Sequence, residues 1–124
     1  MAYTAPIKDL WFGLTELVGL HQLVQSPPFQ DADLPTVSAV LDECAVFAQE
    51  VLAPLNQAGD RAPPQHIDGQ VICSAGFKNA YAQFAAAGWQ GVQHPTEWGG
   101  QGLPKVVSAA CVEMINSANL SFAL

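Results

Sequence analysis

Apolar residues recur at helical spacing in four separate stretches of this chain, and glycine or proline separates each stretch from the next. A period of 3.6 residues commits a stretch to a helix with an apolar face, and that face must be covered. The second stretch is the cleanest. Val37, Val40, Leu41, Cys44, Phe47, Ala48, Val51 and Leu52 fall on one stripe. Asp33 stands where an N-cap belongs, and Pro35 suits the first turn. Pro54 kinks this helix or ends it near Asn56. The fourth stretch, over 104–119, carries Val107, Ala110, Cys111, Met114, Ile115 and Ala118. The third carries Phe77, Ala80, Tyr81, Phe84 and Ala85, with Ser74 as its cap and Gly88 as its stop. The first, over 6–24, opens on Pro6 and ends at Ser26-Pro27-Pro28. It is apolar on nearly every side, through Leu10, Trp11, Phe12, Leu14, Leu17, Val18 and Leu20, which predicts burial on more than one face. The fold class predicted is all-α, a small bundle of about four main helices.

Two connectors carry the remaining information. Residues 58–73 are rich in Gly and Pro, and Asp68-Gly69 is a turn signal. Val71-Ile72 predicts a short extended segment there, at most a small hairpin. The loop His94-Pro95-Thr96-Glu97-Trp98-Gly99-Gly100-Gln101-Gly102-Leu103-Pro104 holds three glycines in four residues. Such density marks backbone angles or close approaches that side chains forbid. The amides near Gly100 to Leu103 open the fourth helix. They leave two readings open, tight packing or an anion seat.

Charge narrows the function classes. Eleven acidic and four basic residues give a net charge of −7. Lys8, Arg61, Lys78 and Lys105 stand singly, so nucleic acid is excluded as a partner, and a multiply phosphorylated cofactor finds no cationic cluster. Only 12% of residues are charged, against roughly 25% in an average soluble domain. Apolar surface is therefore expected to be covered by a second domain, a partner subunit or a lipid. Cys44, Cys73 and Cys111 form no C-x-x-C pair and read as free thiols of a reducing, cytoplasmic compartment. Cys44 and Cys111 fall on apolar stripes and read as buried and inert. No run reaches the roughly 18 apolar residues of a membrane span, and no signal peptide is apparent. His21, His66 and His94 lack metal-ligand spacing.

An ordered series of short motifs now points to a family. Pro54-Leu55-Asn56, Gly59-Asp60, Gly69-Gln70-Val71, Gly76-Phe77-Lys78-Asn79-Ala80-Tyr81, Gly88-Trp89 and the glycine-rich loop follow one another, with Glu113 and Ala118-Asn119 after them. The series resembles the N-terminal helical domain of the acyl-CoA dehydrogenases. It is most similar to the longer members with an extra opening helix, the methylthiopropionyl-CoA dehydrogenase-like branch. Ser74-Ala75 departs from the proline that the family usually places before the third helix.

The resemblance implies an opening helix within 1–28 and core helices over 33–124. A middle β-domain and a C-terminal helical domain would lie outside this chain. It implies an FAD-dependent enzyme that dehydrogenates an acyl-CoA thioester between its α and β carbons. The chain alone would be inactive and without flavin, its partners being the remaining domains of a homo-oligomer. The apolar ending Leu120-Ser121-Phe122-Ala123-Leu124 likewise reads as a point where the polypeptide continues. Glu97 and Glu113 do not match the family's catalytic base, so no residue here is assigned as catalytic or as a metal ligand. Phe122, with Ser121 beside it, is the candidate for substrate contact, because the family walls its acyl pocket there. Packing of Phe122 against a neighbouring domain is the competing role. The competing function is an independent helical module that binds an apolar chain or a partner helix.

Overall fold

The computed structural model describes residues 2–29 and 31–124. Its elements are α1 (Ile7–Phe12), α2 (Leu20–Leu23), α3 (Leu34–Val46), α4 (Ala53–Arg61), β1 (Gln65–Ile67), β2 (Gln70–Ile72), α5 (Phe77–Ala86), α6 (Lys105–Ala118) and α7 (Leu120–Ala123). The architecture is helical apart from one two-stranded antiparallel hairpin among the described residues. The centre is α3 packed on α6. Val37, Leu41, Cys44 and Ala48 on one side meet Val107, Cys111 and Met114 on the other, all buried. Burying each large aliphatic side chain contributes about 1.5–3 kcal/mol, so this seam holds the domain together. The stripe that the sequence predicts on α6 is buried at every position.

Asp33 caps α3 as expected, its carboxylate accepting the Thr36 N–H at 2.8 Å. The helix does not stop at Pro54. A wide π-turn, Phe47–Leu52, joins α3 to α4, and the chain stays helical to Arg61. In this turn the Ala53 N–H donates to the Ala48 carbonyl, one residue further back than in an α-helix. The widening immediately precedes Pro54, where an α-turn would bring the proline ring against a carbonyl.

The opening stretch departs from the expected continuous helix over 6–24. A second π-turn, Gly13–Leu17, follows α1, and Gly19 then turns left-handed (φ 76°) before α2. The extra residue in the wide turn rotates the chain beyond it. Leu14 stays inside, whereas Leu17 and Val18, which α-helical spacing would place on the same side, face solvent. Phe12 is also exposed, so within this chain the opening segment is not buried on several faces as expected.

The hairpin turns at Asp68-Gly69, with φ of 49° and 76°. Two successive positive φ angles define the tight turn that suits twisted antiparallel strands. Ser74 does not cap α5. Gly76 occupies that position at φ 86°, and the Ser74 hydroxyl instead donates to the Ala62 carbonyl at 2.8 Å. That bond joins the two ends of the hairpin excursion and fixes where β2 hands over to α5.

Candidate functional site

The hairpin and α5 meet the last helix along an apolar groove of about 670 Å³. Val71 and Ile72 of the hairpin, Phe77 and Tyr81 of α5, and Ser121 and Phe122 of α7 line it. The size lies within the range of small-molecule sites, roughly 300–1,000 Å³. Val71 is 70% and Tyr81 64% exposed, so the groove opens to solvent.

Phe122 is held by aromatic contacts. Its ring lies 5.8 Å from Phe84, edge-on, and 6.2 Å from Phe77. Phe84 continues to Phe47 at 6.3 Å, and Phe47 to Trp89 at 6.2 Å. Edge-on and offset pairs at such spacings add about 0.5–1.5 kcal/mol each beyond area burial. The groove wall is thereby tied through one row of rings to the core.

Backbone control of Phe122 comes from Asn119. This residue is fully buried and sits between α6 and α7 in extended geometry. Its side-chain amide donates to the Leu52 carbonyl at 3.1 Å. Its oxygen accepts the Phe122 N–H at 3.0 Å and the Ser121 hydroxyl at 2.8 Å. One asparagine thus caps α7, anchors it to the π-turn before α4 and orients both candidate residues. Sequence reasoning places Asn119 at a helix end and in the family's motif series and misses this role. An Asn directly after the last residue of the helical stripe, with an apolar run behind it, is the N-cap signal that was present.

The glycine-rich loop is not an anion seat. Gly100 N–H donates to Pro95 O, Gln101 to Gly91, Gly102 to His94 and Leu103 to Val92, all at 2.9–3.0 Å. A phosphate would find these donors already bonded to carbonyls of the loop. The absent side chain of Gly100 is a steric necessity, since a Cβ there would overlap the His94 backbone. With its cations dispersed, the region does not fit the pyrophosphate of a flavin dinucleotide. Trp98 projects from the loop at 82% exposure.

Other candidates fall away from the groove. Glu97, Glu113, His21, His66 and His94 are exposed. Among the described residues, no group of three or more His, Cys, Asp or Glu converges as a metal site. Cys44 and Cys111 are buried and free, as expected. The Cys44 thiol is pushed up by its side-chain hydrogen bond with Cys111, and then by burial. It is not a thiolate nucleophile. Among the described residues, no helix is long and apolar enough to cross a membrane.

Residues 35–124, from α3 through the groove to the last residue, match the model of the acyl-CoA dehydrogenase N-terminal domain. The chain belongs to the acyl-CoA dehydrogenase family. It is 40% identical over 124 residues to a 3-methylmercaptopropionyl-CoA dehydrogenase of Ruegeria pomeroyi, covering 100% of this chain and 21% of that protein. It is 30% identical over 119 residues to a broad-specificity linear acyl-CoA dehydrogenase, FadE5, of Mycobacterium tuberculosis, covering 94% of this chain and 20% of that protein. The chain therefore spans about a fifth of the length of these relatives. The opening segment with α1 and α2 precedes the matched residues of the family model, yet lies within the first relative's alignment. As a family member, the chain has its ordered motifs where the fold needs them: Gly76 before α5, Gly88 after it, and the Gly99–Gly102 run before α6.

Proposed function

We propose that this chain serves as the N-terminal helical domain, residues 1–124, of an FAD-dependent acyl-CoA dehydrogenase. The complete enzyme would remove the α-proton and β-hydride of an acyl-CoA thioester. Residues 1–28 act as an added opening segment and 33–124 as the core. Flavin and base belong to the remainder of the polypeptide, so the chain alone is inactive. Its part is to shape one wall of the acyl pocket, with Phe122 and Ser121 on that wall. Exposed apolar residues such as Phe12, Leu17 and Trp98 are the surfaces that the other domains and a second subunit cover.

The observation that carries this reading is the groove. An apolar channel runs beside Phe122, and that residue is fixed by Asn119 and by two aromatic rings. A wall built to resist displacement suits a site that must hold a flexible chain in one place. The family match covers every element lining it.

The test compares the 124-residue chain with the same chain extended through its downstream coding sequence. The extended protein is expected to carry flavin absorbance and to reduce an electron acceptor when given acyl-CoA, while the short chain does neither. Phe122→Ala in the extended protein should raise KM for acyl-CoA about tenfold or more, the worth of one lost aromatic contact in an apolar site. A yellow, active 124-residue chain overturns the proposal, as does an extended protein indifferent to Phe122→Ala.

A further inference from the structure

Cys44 on α3 and Cys111 on α6 meet in the seam that holds the domain together, at 0% and 2% exposure. One buried thiol packs as a small apolar side chain and needs no further account. Two that meet across the central helix pair do. The Cys44 thiol donates to the Cys111 carbonyl at 3.7 Å and lies within hydrogen-bond reach of the Cys111 thiol. Its sulfur thus touches the Cys111 backbone itself, and the two helices approach within about one cysteine side chain. Ala45 and Ala48 on one side and Ala110 on the other are buried beside the pair, and helix axes close up where the side chains at a contact are short. A disulfide forms only between cysteines that face one another across closely approaching backbones, which is the arrangement of this seam.

We propose that Cys44 and Cys111 are a modification site, which an uncharged peroxide converts to a disulfide that staples α3 to α6. The site is independent of the groove beside Phe122. The Cys44 hydrogen bond holds the Cys111 thiol below its ordinary range, against the opposing effect of burial, so Cys111 supplies the attacking thiolate. That thiolate attacks one peroxide oxygen, the O–O bond breaks, and the departing hydroxide takes up the Cys111 proton as water. Cys111 is now a sulfenic acid. The Cys44 sulfur displaces its hydroxyl, which leaves with the Cys44 proton as a second water. Two thiols lose two electrons in all, and one peroxide is reduced to two waters. Without a partner thiol the sulfenic acid would be oxidised further and irreversibly; Cys44 diverts it into a bond that a reductant can undo.

The experiment treats the dilute 124-residue chain with hydrogen peroxide and maps the products by tryptic mass spectrometry. Arg61, Lys78 and Lys105 place the three cysteines in three different peptides, and exposed Cys73 reports that the oxidant is active. The peptides of Cys44 and Cys111 should appear joined, lighter by two hydrogens than their sum. The cross-linked chain should melt roughly 10 °C higher, since the bond closes a long loop in the unfolded state, and dithiothreitol should reverse both changes. In concentrated urea the pairing should shift to Cys73 with either of the others, because shorter loops close more readily. Cys44→Ala removes the resolving thiol. Cys111 should then gain oxygen as a sulfinic or sulfonic acid, and the treated variant should melt lower, with a charged group in its core. In Cys111→Ala, Cys44 should remain a thiol. Circular dichroism before treatment checks that both alanine variants keep their helices.

No Cys44–Cys111 cross-link while Cys73 is oxidised overturns the proposal, and so does a yield of that cross-link greater in urea than in water. A cross-linked chain that melts no higher than its reduced form overturns the staple. Oxygen gained at Cys44 in Cys111→Ala as readily as at Cys111 in Cys44→Ala overturns the assignment of the attacking thiol.

Discussion

Around the glycine-rich loop, each amide from Gly100 to Leu103 is paired with a carbonyl of residues 91–95, whereas around the hairpin Val71 and Ile72 face water. Both regions are connectors between helices, and both turn on glycines with positive φ. The first resolves its polar groups internally and leaves no room for a Cβ at Gly100. The second is anchored at its ends by one hydrogen bond, Ser74 to Ala62, and leaves an apolar groove beside it. The contrast separates two jobs of a connector. A loop whose amides from Trp98 to Leu103 are paired sets the position of α6, and a hairpin whose apolar side chains are exposed presents a surface.

The sharpest way to break this contrast is at Gly100. Alanine there must push the His94 backbone, which is itself held by its hydrogen bonds within the loop. Gly100→Ala is expected to cost about 3 kcal/mol or more, the upper range for forced overpacking against a rigid neighbour. Urea unfolding of the two proteins measures it. Gly69→Ala in the hairpin turn meets nothing within 4 Å and loses only the left-handed preference of glycine; it should cost about 1 kcal/mol. Equal losses at the two positions would erase the distinction between the regions.

Asn119 joins the two regimes, a buried polar anchor that aims an exposed groove. Asn119→Ala removes the cap of α7 and strips the Leu52 carbonyl of a donor. The expected loss is about 2 kcal/mol, combining a cap with a buried hydrogen bond. Because Phe122 loses its backbone partner, ligand binding in the groove should fall along with stability. Asn119→Asp tests the division of labour. It keeps the acceptor for Phe122 and loses the donor for Leu52, so stability should fall more than binding. An Asn119→Ala variant that binds normally at lowered stability would show that the aromatic row, not Asn119, positions Phe122.

Much of the rigid part is legible in the sequence, and for a physical reason. Stripes of period 3.6 report burial directly, so the buried faces of α3 and α6 can be read from Val37 to Ala118. Asp33, Asp68-Gly69 and Gly88 are local signals whose partners lie within a few residues. The features that escape such a reading depend on distant partners or on turns without a composition of their own. Nothing in Gly13–Leu17 or Phe47–Leu52 announces a π-turn, and each one redirects the residues after it. Ser74 has the chemistry of a cap, but its acceptor, Ala62, lies 12 residues back. The loop amides look available in sequence because their carbonyl partners are not adjacent to them. For the groove, Ser121 and Phe122 enter through family resemblance. The anchoring role of Asn119 stands out only once the helix ends are placed in space.

A smaller effect is expected at the solvent-facing start of α3. Two hydrogen bonds from Thr36, side chain first and backbone second, hold the Asp33 carboxyl below its ordinary pKa of 3.8. A lowered folded pKa means that the unfolded chain takes up the proton first as pH falls. The stabilisation is therefore complete above 3.8 and is lost as pH drops through the folded value. Asp33→Asn keeps an acceptor without this titration, so its stability should be the flatter of the two below about pH 4. Thermal unfolding at about pH 3 and about pH 6, on either side of that window, gives the comparison; parallel curves would show that the cap is not coupled to the proton.

The smallest expected change in stability is at Val71, and it tests the groove most directly. The side chain is 70% exposed on the hairpin face, so its removal takes little apolar area out of a buried environment. Val71→Ser should alter unfolding free energy by no more than about 0.5 kcal/mol, as for other surface substitutions. The same change deletes apolar lining from the groove and should raise the KM of the extended protein for acyl-CoA. A residue that stabilises nothing by itself and yet matters for an occupant is what a presenting surface requires. If Val71→Ser instead destabilises the chain as Asn119→Ala does, the hairpin is a structural brace, and its resemblance to the glycine-rich loop runs deeper than the exposure of its side chains suggests.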